Sequence, residues 1–213
     1  MDSFVVQTVS GNCTEGTNKI ANIWLEPGHN EKGDHFRVRY FIKIFNLGNG
    51  AAKDIRISWD YEIERLVETI NHLAHESFRN ILVKLERNAL SIEGKELGGA
   101  TFFLHNDLQG SIDYILPISA FNTPATAALP MTFVDLMSIY YDLCLGADAK
   151  KQGGAISYDD SLSRIKMTIE YKDIGGSSHS LTTFINVNVV IYKPRDDKEI
   201  FTALIEQDNA KTS

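Results

Sequence analysis

Residues Arg164–Ile191 read R-I-K-M-T-I-E-Y-K-D-I-G-G-S-S-H-S-L-T-T-F-I-N-V-N-V-V-I. Ile165, Met167, Ile169 and Tyr171 alternate with Arg164, Lys166, Thr168, Glu170 and Lys172. Successive side chains of a strand point to opposite faces, so a period of two sets an apolar face against a charged one. Asp173–Ser178 contains Gly175-Gly176, and Leu181, Thr183, Ile185, Val187, Val189 and Ile191 then resume the alternation. Two alternating runs about a glycine-containing turn predict a long hairpin. The chain therefore reads as mainly β.

The same period recurs upstream. Phe36, Val38, Tyr40, Ile42 and Ile44 alternate with Arg37, Arg39 and Lys43, and Phe41 and Phe45 interrupt the polar face as if packed under a helix or a second layer. Asn46–Ala52 is a Gly/Asn turn, after which Ile55, Ile57 and Trp59 alternate again. This is an antiparallel pair or a crossover between sheets. Short strands are expected at Ile81–Leu85, Leu90–Ile92, Thr101–Leu104 and Ile112–Ile118.

Two stretches change period. Ile63, Leu66, Val67, Ile70, Leu73 and Ala74 follow helical spacing, which predicts an amphipathic helix near 61–76. Pro130 suits the first turn of a second helix, 130–144, with Phe133, Leu136, Met137, Tyr140, Tyr141 and Cys144 on its buried face. Gly146–Asp159 reads as a polar loop. Asp196 and Glu199 have capping-box spacing, so 196–213 is expected to be a short helix and tail carrying Ile200, Phe201, Leu204 and Ile205. The expected organisation is an N-terminal segment over 1–19, a domain over 20–195, and that C-terminal segment.

Composition narrows the function classes. The 213 residues are 43% hydrophobic and 23% charged, enough for a sizeable core. The net charge of −7 lacks the basic excess of a nucleic-acid binder, so no nucleic-acid partner is expected. No run approaches the roughly 20 apolar residues of a membrane span, and Met1–Gln7 lacks the basic region of a secretory signal. A cytoplasmic location follows, with peripheral membrane association as the alternative if an anchor is missing. The cysteines are Cys13 and Cys144, and Cys144 closes an apolar helical pattern as a buried free thiol.

The run Phe45–Ile55, F-N-L-G-N-G-A-A-K-D-I, resembles the N-x-G-N-G-x-A turn of bacterial immunoglobulin-like, adhesion-related domains. It is also similar to the soluble part of a loose group of uncharacterised bacterial proteins. Ile169–Gly176 is similar to the paired hairpin of that group, and the likeness extends in outline over Ile23–Tyr192. The resemblance implies an immunoglobulin-like β-sandwich and a binding or scaffolding role without catalysis; the expected fold is that sandwich with two or three accessory α-helices, which are more than a minimal sandwich needs. In those proteins the sandwich often follows a membrane anchor and a coiled-coil spacer; neither is evident here.

Four stretches carry residue types capable of chemistry. Gly48-Asn49-Gly50 is followed by strand alternation, whereas a phosphate loop opens a helix, so the run reads as a turn. His72 and His75 lie at i, i+3, but H-E-x-x-H and H-x-x-E-H are both absent and zinc needs convergent ligands. Asp159-Asp160, with Asp148 upstream, reads as a solvated acidic loop. Ser177, Ser178 and Ser180 flank His179 on a strand, where neighbours point apart. No catalytic residue, metal ligand or cofactor site is therefore assigned. The expected function is protein–protein recognition or scaffolding, with a protein partner or homo-oligomer. Its contact regions are expected at Phe201, Leu204 and Ile205 and at Asp159 and Asp160. The rival is a small-ligand or metal-binding protein, or a hydrolase, assembled from His72, His75, Asp159 and Asp160.

Overall fold

The hairpin that decides the class forms between strands Arg164–Lys172 and Ser178–Arg195, with Ser178 opposite Lys172 and Asn186 opposite Arg164. Ile165, Met167, Ile169 and Tyr171 are buried, as their spacing requires. Gly176 closes the turn at φ +88°, a region in which an L side chain is strained.

The structure is a computed structural model and describes residues 4–8, 41–94, 98–121, 123–148, 159–195 and 198–208. In chain order the elements begin with β1 (Phe4–Thr8), β2 (Phe41–Asn46), β3 (Ala52–Asp60), α1 (Ile63–Glu76), β4 (Ile81–Glu86), β5 (Ala89–Gly94) and β6 (Gly98–Phe103). There follow α2 (Leu104–Asp107), β7 (Gln109–Ile115), β8 (Ala125–Ala128), α3 (Met131–Asp148), β9 (Arg164–Lys172), β10 (Ser178–Arg195) and β11 (Lys198–Asp208). The protein is mainly β. Its five-stranded sheet has the order β11-β10-β9-β3-β7, and two three-stranded sheets are ordered β1-β2-β8 and β4-β5-β6. Neighbouring strands within all three sheets run antiparallel. The expected domain start near Ile20, the strands at Ile23–Leu25 and Phe36–Tyr40, and Cys13 lie outside the described residues.

The Asn46–Ala52 turn joins strands of different sheets, so it is a crossover. Ile42 and Ile44 face the core on one side of it, and Ile55, Ile57 and Trp59 on the other. Phe41 lies under neither a helix nor a second layer but is exposed, because the period of two that buries Ile42 turns its neighbour outward.

Helix α1 buries Ile63, Leu66, Val67, Ile70 and Ala74 and packs on α3 and β4. Asn71 reaches from it to the outer edge of β4. Its side chain accepts a bond from the Val83 N–H (2.9 Å) and donates to the Val83 carbonyl (2.8 Å), closing two backbone groups an edge strand leaves open. The helix ends in a Schellman motif: Arg79 N–H bonds the Ala74 carbonyl and Phe78 N–H the His75 carbonyl. Glycine is the usual residue at this left-handed position, yet here Phe78 stands at φ 55° with its side chain 95% exposed.

Two expectations are corrected. Helix α3 begins as expected but runs on to Asp148, taking in the start of the segment read as loop; positions 149–158 lie outside the described residues. Nor does it cover a sheet with one face. From Thr132 to Cys144 every residue except the half-buried Asp142 is buried, including Thr132, Asp135 and Ser138. A helix enclosed on all sides belongs to the core, and one cluster joins it to α1 and to all three sheets. The second correction is the C-terminal segment. Lys198–Asp208 is strand β11, paired with β10 from Arg195 opposite Lys198 to Phe184 opposite Asp208. A short apolar run satisfies either period, and the long open edge of β10 decides for the strand.

Candidate functional site

The loops 46–51, 115–121 and 173–177 meet at one end of the five-stranded sheet, and Asn46 ties the first two together. Its side chain accepts the Gly48 N–H (2.9 Å) and donates to the carbonyls of Gly50 (2.8 Å) and Ile115 (3.0 Å). Its own carbonyl accepts the Ile118 N–H (2.9 Å), and Pro117 forms a parallel bridge with it. Asn46 is 2% exposed, and its side-chain bonds to Gly48 and Ile115 are buried, with that to Gly50 partly so. The third loop is held by packing. A Cβ on Gly50 would lie 3.0 Å from Ile174 Cδ1, so glycine is what admits the isoleucine against the first loop.

These loops hold apolar side chains out to solvent: Leu47, Leu116 and Ile118 in part, Phe121 at 57% and Ile174 at 70% exposed. Residues 46–51 and 115–121 contain no charged side chain. The exposed side chains form an apolar group on three loops that meet, unlike single exposed leucines scattered over a protein.

The charges behind this end are paired. Asp54 sits at a bulge in β3 with φ 53°, a left-handed conformation aspartate tolerates. Lys172 Nζ donates to its carboxylate at 2.9 Å, and this bond holds the Asp54 carboxyl below the usual range. Asp173 is lowered in the same way, first by the bond from the His179 ring (3.1 Å) and then by the Ser177 N–H (2.8 Å). The His179 ring also stacks on Tyr171, centroids 5.0 Å apart. Both carboxylates are thus held ionised by hydrogen-bonding partners, which suits a structural bond better than proton transfer at neutral pH.

The sequence candidates do not converge. His72 and His75 are exposed on α1, where His72 lies 3.7 Å from Glu76, and among the described residues no group of three or more His, Cys, Asp or Glu is placed to hold a metal. Asp159 bonds to Arg65 of α1, to Ser161 Oγ (2.6 Å) and, through its N–H, to Tyr140 Oη (2.7 Å). It therefore anchors the chain entering β9. Asp160 is exposed beside it. Phe201, Leu204 and Ile205 are positions of β11, and Asp148 ends α3. Gly48-Asn49-Gly50 is the turn organised by Asn46, and Ser178, His179 and Ser180 begin β10.

Sequence reasoning missed Asn46, Phe121 and Ile174. The usable signal for Asn46 was its side chain two residues before Gly48, the spacing of an Asx turn. For Ile174 it was an isoleucine inside a turn, between Asp173 and Gly175. No helix among the described residues is long and apolar enough to cross a membrane. Compared with protein-family profiles, with curated proteins and with solved structures, the chain matches none.

Proposed function

We propose that the chain is a non-catalytic recognition module, an immunoglobulin-like sandwich with accessory helices, that binds a protein partner through the loop end of its five-stranded sheet. The observation that carries this reading is the exposure of Phe121, Ile174, Leu47, Leu116 and Ile118 on three loops tied by Asn46 and Gly50. Burying such a surface stabilises a complex by about 25 cal/mol per Å² before the costs of association, and the two uncharged loops add no desolvation penalty for ions. Antiparallel pairing throughout and the β2–β3 crossover between sheets support the sandwich. The Asn46–Ala52 run supports a bacterial source, and the buried, reduced thiol of Cys144 agrees with a reducing, cytoplasmic compartment. Strand β11, with Phe201, Leu204 and Ile205, and Asp159-Asp160 serve as secondary contact regions.

Quantitative affinity capture from the host, with unaltered protein beside a Phe121→Ser/Ile174→Ser double variant, tests the proposal. A stoichiometric partner lost with the double variant supports it. Equal capture by both, or no partner for either, refutes it. Point variants are the right tool, since cutting after Pro194 would strip β11 from the sheet.

A further inference from the structure

The five-stranded sheet ends at β7, Gln109–Ile115, whose one neighbour in the sheet is β3. Gln109, Gly110, Ser111, Asp113 and Tyr114 are exposed, Ile112 is half-buried and Ile115 is buried. The phase of the ladder follows from one bond. Trp59 N–H donates to the Leu108 carbonyl (3.0 Å), so Leu108, Gly110, Ile112 and Tyr114 turn their backbone groups toward β3. Gln109, Ser111, Asp113 and Ile115 therefore turn theirs outward. The Ile115 carbonyl agrees, since it accepts Asn46 Nδ2 from the end of β2. Among the described residues nothing bonds the backbone N–H or C=O of Gln109, Ser111 or Asp113. Strand β8 lies on the core side of β7, where it shares a cleft with inward-facing Ile57 and Trp59, and it forms no ladder with β7. Two other edges are guarded. Asn71 bonds the edge of β4, and β11, at the far end of the same sheet as β7, carries Lys198, Glu199, Glu206 and Asp208. In β7 the charge is Asp113 alone.

We propose that β7 pairs antiparallel with β7 of a second copy, about a two-fold axis at Ser111, and so joins two five-stranded sheets into one. A two-fold contact sets the same strand against itself, so the edge must be complementary to its own pattern. With Ser111 opposite Ser111 of the second copy, Gln109 falls opposite Asp113, and every outward N–H and C=O of these residues meets a partner. Other axes fail. Centred on Ile112, Gln109 would need the Ile115 carbonyl, which Asn46 already holds. Centred on Asp113, two carboxylates meet, and centred on Gly110, Asp113 runs past the end of the strand. Charge is complementary about the Ser111 axis. Arg56 lies opposite Ser111 on β3, on the face that Asp113 shares, so each copy brings one cation and one carboxylate there. On the other face Ile112 lies opposite Gly110, which has no side chain to obstruct it, and exposed Tyr114 lies opposite half-buried Leu108. The contact runs along the side of the sheet and does not rest on recognition by the loop end.

Sedimentation of the full chain over a range of concentrations, beside Ser111→Pro, tests the proposal. Proline there removes an N–H that faces the second copy and none that bonds β3, so the sheet itself is kept; circular dichroism and Tm check this. The expected result is a reversible monomer–dimer equilibrium whose dissociation constant rises about tenfold or more in Ser111→Pro. Cross-linking reads the register and does not depend on the proline variant. In a Cys13→Ser background, which leaves buried Cys144 as the native thiol, Ser111→Cys sets two thiols in a hydrogen-bonded pair. Its Cα atoms lie about 5.5 Å apart, within disulfide reach. Asp113→Cys sets them about 14 Å apart along the strands, beyond it. Mild oxidation should give a disulfide-linked dimer with the first variant and monomer with the second. A chain that stays monomeric at every concentration overturns the proposal. So does a dimer that Ser111→Pro leaves unchanged, or cross-linking of Asp113→Cys in place of Ser111→Cys. A dimer lost in Phe121→Ser/Ile174→Ser and kept in Ser111→Pro overturns it as well, by moving the contact to the loop end.

Discussion

Asn46→Ala should be among the most costly single changes at the loop end. The substitution removes three hydrogen bonds and leaves the Gly48 N–H and the Ile115 and Gly50 carbonyls to find new partners. Bonds to Gly48 and Ile115 are buried, and that to Gly50 is partly so, which lets water recover part of the third. Counting the two buried bonds at about 1 kcal/mol net each and a further 1–3 kcal/mol for a buried group left unpaired, the expected loss is about 3–5 kcal/mol. That is roughly 150- to 5,000-fold in the folding constant, out of a total near 5–15 kcal/mol for a typical domain. Asn46→Asp separates hydrogen-bond geometry from loss of volume. It retains the acceptor for Gly48 N–H but sets a second acceptor against the carbonyls of Gly50 and Ile115. At neutral pH it should cost at least as much as alanine. The introduced carboxyl is pushed up in the fold, so the variant is most stable below about pH 4 and loses stability as pH rises through the raised value. Urea unfolding at pH 7 and at the lowest pH where the unaltered protein stays folded measures both effects. A loss below about 0.5 kcal/mol for Asn46→Ala, or an aspartate variant more stable than the alanine variant at pH 7, would refute the reasoning.

Phe78→Gly should stabilise the protein by about 1 kcal/mol, because it removes a side chain that is exposed from a left-handed C′ position; equilibrium unfolding checks the sign. Asp107→Ala should cost about 2–4 kcal/mol by uncapping buried helix α3, with Asp107→Asn recovering part of the loss; the measurement is the urea midpoint of both variants. On the alkaline side, burial pushes the Tyr140 phenol up to about 12 and raises Tyr61 as well. Both should stay protonated in the fold after the unfolded chain ionises near pH 10, so stability is intact below that pH and falls above it, by at most about 1.4 kcal/mol per pH unit for each phenol. Absorbance titration of tyrosinate beside unfolding at pH 9–11 tests this. In acid, Asp173 keeps its bonds to His179 and Ser177 above the ordinary carboxylate value and loses them as pH falls through its depressed one. His179→Ala should move the Asp173 titration upward, seen by carboxyl carbon NMR.

Periodicity along the chain determined the elements that carry a clear repeat of their own. The β9–β10 hairpin, the alternation that buries Ile42, Ile44, Ile55, Ile57 and Trp59, and the apolar stripe of α1 are each set by a repeat of two or 3.6 residues, which a linear reading detects. Elements that depend on a distant neighbour were not legible. Ala125–Ala128 has no apolar alternation and is a strand because β2 offers it an edge. Lys198–Asp208 suits a helix or a strand, and the partner strand β10 selects between them. A helical repeat locates α3 but does not say that Thr132, Asp135 and Ser138 will also be enclosed, since that follows from what packs around it. The candidate site divides in the same way. The turn at Gly48–Gly50 could be read from its glycines, but its gathering with Phe121 and Ile174 rests on contacts between residues about 70 and 120 positions apart, whose pairing no local rule encodes. Local conformational preference is written residue by residue in the sequence, whereas exposure of an apolar side chain is a property of everything that does or does not fold over it, and only the tertiary structure decides that.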